Sequence, residues 1–331
     1  MNIQKKLYYF LILFCISSIS IATNIKEQYP FSKVIVWGHK IQNGHTHSWI
    51  HYAFYKAFTH LGYDTLWLDN NDNIDHIDFA HSLFITEGQV DQKIPKQADC
   101  RYILHNCNTA LYKHLFDLNN CIILQVFTYD IFGRNIVEKA PFVYADINDR
   151  VLYMPWATDL LPHEINEQKK CATMERSPTI YWVGTMNNDY FGNMKELQPF
   201  MLAAQKYGIT IKQYKSNNIT DSIQAIHQSY MAPAIVGTWQ KEKGYIPCRI
   251  FKNISYGQMG ITNSKAVYEL FNKKIVYNAN TYQLFFDAQQ KLHTMSIHEL
   301  YDLMDFVRDH HTYITRIDQL LSFMSSIKPI T

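Results

Sequence analysis

The chain has 331 residues, 47% of them hydrophobic, 15% aromatic and 18% charged, and 31 Lys and Arg against 29 Asp and Glu leave a formal net charge of +2. This length suits about two domains of ~100–200 residues each and excludes disorder, collagen and a small disulfide scaffold. The near-neutral balance lacks the basic face of a phosphate-backbone binder, so no nucleic acid is expected as a partner.

At the N-terminus Lys5 and Lys6 precede an apolar stretch from Leu7 to Ala22 that ends in Ser20-Ile21-Ala22. A charged region, an apolar region and a small-x-small site are the order of a secretory signal peptide, so residues 1–22 are read as one, cleaved after Ala22. The alternative is an uncleaved anchor formed by residues 7–22, although that stretch falls short of the ~20 apolar residues of a spanning helix. Either reading predicts an exported, lumenal or periplasmic protein, with membrane association only through this segment. Cys100, Cys107, Cys121, Cys171 and Cys248 leave an odd number beyond the signal, with no CxxC pair. Scattered structural thiols are expected, not a zinc ribbon or a redox pair.

Beyond a polar spacer, residues 33–38 read as a short buried strand, and a loop leads into a helix ending at Gly62. In that helix Trp49, Tyr52, Ala53, Lys56, Ala57 and His60 recur at helical spacings. Strands are expected at 63–69, 82–88, 100–106, 121–127 and 150–159, which makes residues 33–160 an α/β unit with a parallel sheet. Residues 161–178 are polar and without periodicity, and read as a linker. A second series follows over 179–310: strand 179–185, helix 193–208, strand 209–215, helix 222–231, a strand-like stretch 232–239, helix 249–258, strand 260–264, helix 266–271 and strand 274–278. Two helices end the chain, the last of them, 311–325, closing it. Two α/β units and a polar linker place any site in the cleft between them, in loops beyond the carboxyl ends of the strands.

In the first unit Gly44-His45-Thr46-His47-Ser48 opens the first helix. His47 is a candidate base because imidazole titrates near neutrality, and His45 and Ser48 are candidates for acceptor binding. The alternative is a helix cap with incidental histidines, in a chain that has 15 of them. His45, His47 and His51 also have metal-ligand spacing, but with no HExxH motif no metal is assigned. Glu87 and Asp130, each in a loop after a strand, are alternative general bases for an acceptor hydroxyl or simply loop residues.

In the second half, the strand YWVGT, the helix NMKELQPFMLAAQKYGI, the stretches GYIPCRIFKNISYGQMGITNSKAVYELF and KIVYNANTYQLF and the closing VRDHHTYITRIDQLL follow one another in order. Together with MPWATD before the linker, this order resembles the donor-binding half of GT-B glycosyltransferases, and within them the bacterial proteins similar to spore-coat maturation glycosyltransferases. The resemblance implies an α/β fold of two Rossmann-like domains whose parallel sheets face each other across a cleft. It also implies a retaining, hexosyltransferase-like reaction that needs no cofactor, the nucleotide sugar being a co-substrate, and a glycan or other hydroxyl acceptor. The chain departs from the pattern at Lys252, in RIFKN, where many members carry a glutamate that holds the nucleotide ribose. An ammonium only donates, so ribose recognition does not carry over, and Lys252 becomes a candidate phosphate partner or the mark of an inactive homologue.

A departing diphosphate needs fixed positive potential, which Arg249, Lys252 and the helix N-terminus after Asn263-Ser264 are placed to supply. Asn253, beside Lys252, joins this donor set. A salt bridge for Arg249, and a plain helix cap for Asn263 and Ser264, are the structural alternatives. Gly184-Thr185 is a candidate for close backbone approach to the donor or an ordinary turn, and Tyr245 for stacking on a base or sugar or for core packing. Tyr313 and Arg316 are expected to pack the closing helix across the domains. The rival functions are an exported two-domain sugar or solute binder, and a metal-dependent hydrolase built on the histidine loop.

Overall fold

A computed structural model describes residues 25–40, 46–87, 93–105, 112–127, 136–216 and 218–328. The N-terminal segment 1–22, His45, Cys107 and Asp130 lie outside them. No helix among the described residues is long and apolar enough to cross a membrane.

The first unit runs β1 (Val34–Trp37), α1 (Thr46–His60), β2 (Thr65–Leu68), β3 (Leu83–Glu87), β4 (Arg101–His105), α2 (Lys113–Asp117), β5 (Cys121–Gln125), β6 (Val137–Ala140), β7 (Val143–Asp146) and β8 (Val151–Tyr153). Its sheet has the order β2-β1-β3-β4-β5-β8-β7-β6, parallel from β2 to β8. The edge departs from the all-parallel expectation, because β6, β7 and β8 pair antiparallel.

Strand alternation sorts the core into two faces. Val34, Val36, Leu83, Ile85, Ile103 and Ile122 pack with α1 on one side. Ile35, Trp37, Phe84, Tyr102 and Leu104 form the core on the other side. The buried face of α1 is Ile50, Ala53, Phe54, Ala57 and Phe58, rotated from the Trp49, Tyr52, Lys56 and His60 stripe. Burying Phe54 and Phe58 stabilises the pairing by roughly 1.5–3 kcal/mol each. Gly62, at φ 83°, ends the helix in the left-handed conformation expected of a C-terminal glycine.

The stretch expected to be a linker is helical: α3 (Pro162–Cys171) starts with a proline at its first turn, and Glu164 Oε2 accepts from Leu161 N at 2.7 Å. Its charged residues hid the signal, since only Ile165 is buried. Lys56 Nζ reaches Glu164 at 2.6 Å and ties α1 to α3.

The second unit runs β9 (Thr179–Val183), α4 (Met194–Lys206), β10 (Thr210–Tyr214), α5 (Ile219–Gln228), α6 (Thr238–Glu242), α7 (Cys248–Ser255), β11 (Ile261–Thr262), α8 (Lys265–Leu270), β12 (Val276–Tyr277), α9 (Thr281–Thr294) and α10 (Ile297–His310). β9 pairs parallel with β10, and β11 parallel with β12. Between the two pairs, Tyr230 N donates to Thr179 O and Ala234 N to Ile261 O, so residues 230–234 bridge them as a broken central strand. α9, capped by Asn280, went unread in the sequence although Thr281, Leu284, Phe285 and Ala288 recur at helical spacing and are buried. The unit is α/β, Rossmann-like in its parallel pairing, and has its own core around Trp182, Phe200, Phe251, Leu284 and Phe285.

The last helix, α11 (Tyr313–Ser325), returns to the first unit, where Tyr313, Ile317, Leu320, Leu321 and Met324 join the core beneath α1. Arg101 Nη2 donates to Met324 O and Ile327 O at 2.8 and 3.0 Å. Arg316, buried, donates from Nε to Pro155 O at 2.8 Å and from Nη2 to His311 Nδ1 at 2.9 Å. The strand expected over 150–159 ends at Tyr153, and the following residues form the crossing that Arg316 holds.

Candidate functional site

In the first sheet the chain goes from β1 outward to β2 and then back across to β3 on the other side of β1. The connections after β1 and β3 therefore diverge on opposite faces, and the crevice at their strand ends is where open α/β sheets place ligands. Four histidines and a glutamate meet there.

Alternation explains why. Glu87 continues the Leu83 and Ile85 face of β3, and its register partner His105 continues the Ile103 face of β4, so both point to the side covered by α1. His47 and His51 lie one turn apart at the start of α1 and share one face. His39 follows Gly38, and both have left-handed backbones, at φ 43° and φ 92°, which turn the chain sharply off β1.

His39 Nε2 and His47 Nδ1 both contact Glu87 Oε2, at 2.5 and 2.9 Å. A carboxylate only accepts, so each ring donates there, and in neutral His47 the basic nitrogen is Nε2. Behind them His51 Nδ1 donates to Gly38 O at 2.7 Å and His51 Nε2 meets His105 Nε2 at 2.9 Å. Burial pushes His51 down to about 3 and holds His105 well below the ordinary histidine range, so both are neutral near pH 7. The carbonyl fixes the proton on His51 Nδ1, and His105 must then donate from Nε2. Among the described residues, the buried His105 Nδ1 has no hydrogen-bond partner. The His105 ring lies 5.0 Å from that of His47 and 5.6 Å from that of Trp156, linking the cluster to the crossing segment.

On the opposite side of the crossing sits α7. Lys252 Nζ pairs with Asp159 Oδ2 at 2.7 Å, and Tyr256 OH donates to Asp159 Oδ1 at 2.5 Å. Burial alone would raise Asp159, but Lys252 and Tyr256 outweigh it and hold the carboxyl below its ordinary range. Burial likewise opposes the charge on Lys252, and Asp159 more than restores it. Lys252 also lies 5.8 Å from the Trp49 ring of α1. Phe127 of the first unit packs against Trp239 and Tyr245 of the second, with ring centroids 5.2 and 5.3 Å apart.

Arg249, one turn before Lys252, sits over the Trp182 ring with its guanidinium carbon 3.8 Å from the centroid, at the carboxyl end of β9. Gly184 lets it approach: a Cβ there would lie 2.8 Å from Arg249 Nη2, and the backbone is left-handed at φ 117°. Burial lowers Arg249 to about 10, which leaves it charged near neutrality. Among the described residues no carboxylate pairs with it.

The structure thus brings His47 and Glu87 together and sets Arg249 against Gly184, while it commits several other expected residues elsewhere. Ser48, buried, donates to Lys40 O at 3.0 Å and does not offer its hydroxyl to an acceptor. Lys252 is held by Asp159. Asn253 Nδ2 donates to Ala232 O at 2.7 Å, and Asn263 both accepts from Val236 N and donates to Val236 O. Ser264 is the N-cap of six-residue α8, with its N–H bonded to Thr262 Oγ1. Thr185 O accepts from Trp182 Nε1 at 3.2 Å, and Tyr245 packs at the seam. Of the histidines with metal-ligand spacing, His45 lies outside the described residues and His51 turns its two nitrogens to Gly38 O and His105 Nε2. Sequence reasoning missed His39, His105 and Asp159. The first two were readable as polar residues at strand ends, whereas Asp159 acquires its role only when α7 folds against the crossing.

No family model matches the chain, and no curated protein matches it. Among solved structures it is similar to a UDP-forming alpha,alpha-trehalose-phosphate synthase from Burkholderia xenovorans, at 12% identity over 99% of this chain and 80% of that chain, with a TM-score of 0.41.

Proposed function

We propose that the chain transfers a glycosyl group from a nucleotide-sugar donor to an acceptor hydroxyl at the seam between its two units. The observation that carries this reading is Arg249: a half-buried guanidinium at a strand's carboxyl end, stacked on Trp182 and without a described carboxylate partner, fits the leaving diphosphate. Bidentate recognition of phosphate oxygens is what a guanidinium does best. In this scheme Arg249 stabilises the charge that develops on the departing diphosphate. His47 Nε2 takes the acceptor proton, and Glu87, bonded to His47 Nδ1, holds the ring in the tautomer that leaves Nε2 basic. Glu87, shared by two histidine donors, acts here as a positioning residue. The reaction breaks the bond between the sugar's anomeric carbon and the diphosphate and forms one to the acceptor oxygen; the finer reading is a glycan acceptor that approaches on the face the diphosphate leaves, which gives retention.

The test is release of nucleoside diphosphate from a panel of sugar nucleotides. Wild-type protein is expected to release it with at least one donor. His47→Ala should lower kcat by ~10²–10⁴-fold with little change in the donor KM. Glu87→Gln should lower kcat and move the acid limb of the pH profile, which a merely structural role would not do. No turnover with any donor would contradict the proposal.

A further inference from the structure

We infer that His39, His47 and Glu87 form a binding site for one divalent transition-metal ion of the zinc class. Their ligand atoms all lie within 4.8 Å of one another, and both imidazole nitrogens already converge on the single oxygen Glu87 Oε2. Tetrahedral bonds of ~2.0–2.2 Å separate ligand atoms by roughly 3.3 Å, so contacts of this size need to open by less than ~1 Å to admit an ion. Two imidazoles and one carboxylate suit a borderline cation, not the all-oxygen shells of magnesium or calcium. The three ligands found among the described residues leave a fourth position of a tetrahedral ion for a further donor.

The scaffold around the three is built. His39 is aimed by the left-handed pair Gly38-His39, Glu87 sits on a buried strand end, and the His47 ring packs against His105, which His51 anchors in turn. Three separate elements supply the ligands, which gives the site its shape only in the folded chain. Coordination displaces the protons on His39 Nε2 and His47 Nδ1, and a neutral ring carries its proton on the other nitrogen instead. The ion and the His47–Glu87 hydrogen bond are therefore alternative uses of the same side chains. The inference goes beyond the glycosyl-transfer reading and does not rest on it.

The experiment is calorimetric titration of chelator-stripped full-length protein with Zn2+, with Mg2+ as a second titrant and visible absorption of the Co2+ form as an independent readout. One Zn2+ per chain, no Mg2+ binding and the intense d–d bands of tetrahedral cobalt are expected. His39→Ala and Glu87→Gln should each weaken Zn2+ at least tenfold, and His60→Ala, at the exposed end of α1, should change nothing. His39 lies on a partly exposed loop, so its variant keeps the test valid even if Glu87→Gln impairs folding. No Zn2+ binding by folded wild-type protein, binding unchanged in both ligand variants, or loss on His60→Ala alone would overturn the inference.

Discussion

Lys252 Nζ stands 2.7 Å from the buried carboxylate of Asp159, so the ammonium of α7 neutralises a charge carried by the segment that joins the two units. Lys252, which the sequence offers as a candidate phosphate partner, is part of an internal lock. Tyr256 completes it from the same helix, and Thr158 Oγ1 meets Ser255 Oγ at 2.7 Å beside it. Lys252→Met leaves Asp159 buried with only Tyr256, and should cost about 3–5 kcal/mol, read by urea denaturation. The double variant Lys252→Met with Asp159→Asn should recover most of that loss. A donor-contacting Lys252 would give the opposite pattern, lost nucleotide affinity at unchanged stability.

Gly184→Ala places a Cβ against Arg249 Nη2 and forces an L side chain into a left-handed backbone. The guanidinium is the flexible end and moves first. The variant should lose about 1–3 kcal/mol of stability from backbone strain and at least tenfold in nucleotide affinity from the displaced arginine. Thermal unfolding and calorimetry on the same preparation separate the two effects.

His311 links the closing helix to the crossing segment: its carbonyl accepts from Thr158 N at 3.1 Å and its Nδ1 accepts from Arg316. Burial, then the Arg316 charge, holds its pKa well below the ordinary 6.5. The unfolded chain therefore binds a proton that the folded chain refuses. The stabilisation is complete above pH 6.5 and is lost as pH falls towards the depressed folded value. Below pH 6.5 this one group should contribute a slope of up to about 1.4 kcal/mol per pH unit. Urea denaturation at pH 7.5, 6 and 5 should show stability falling with pH, and His311→Gln should flatten the fall by up to that amount.

The strands and helices that pack by a clean period were legible in the sequence. β1, β3, β4, β9, α4 and α10 lie within a few residues of the spans their apolar patterns indicate. α3 was not, because a helix anchored by few apolar side chains and many charges looks like a linker until its partners are known, and α9 was missed despite its apolar period. At the site, His47 and Glu87 were readable one at a time, from strand-end and helix-start positions. Their meeting required the register that sets Glu87 beside His105 and the turn at Gly38-His39. Arg249 was readable as a cation, while its stacking on Trp182 and its close approach to Gly184 are tertiary. Lys252 misled because a charge type says nothing of its partner, and Asp159 lies 93 residues upstream in the chain.

Isothermal titration of chelator-stripped protein with UDP, GDP and ADP tests most directly that the second unit binds a nucleoside diphosphate through Arg249. The account predicts saturable binding of at least one of these nucleotides, weakened at least tenfold in Arg249→Gln and unchanged in His47→Ala. Binding of none of them by folded protein, or equal binding by Arg249→Gln, would contradict it.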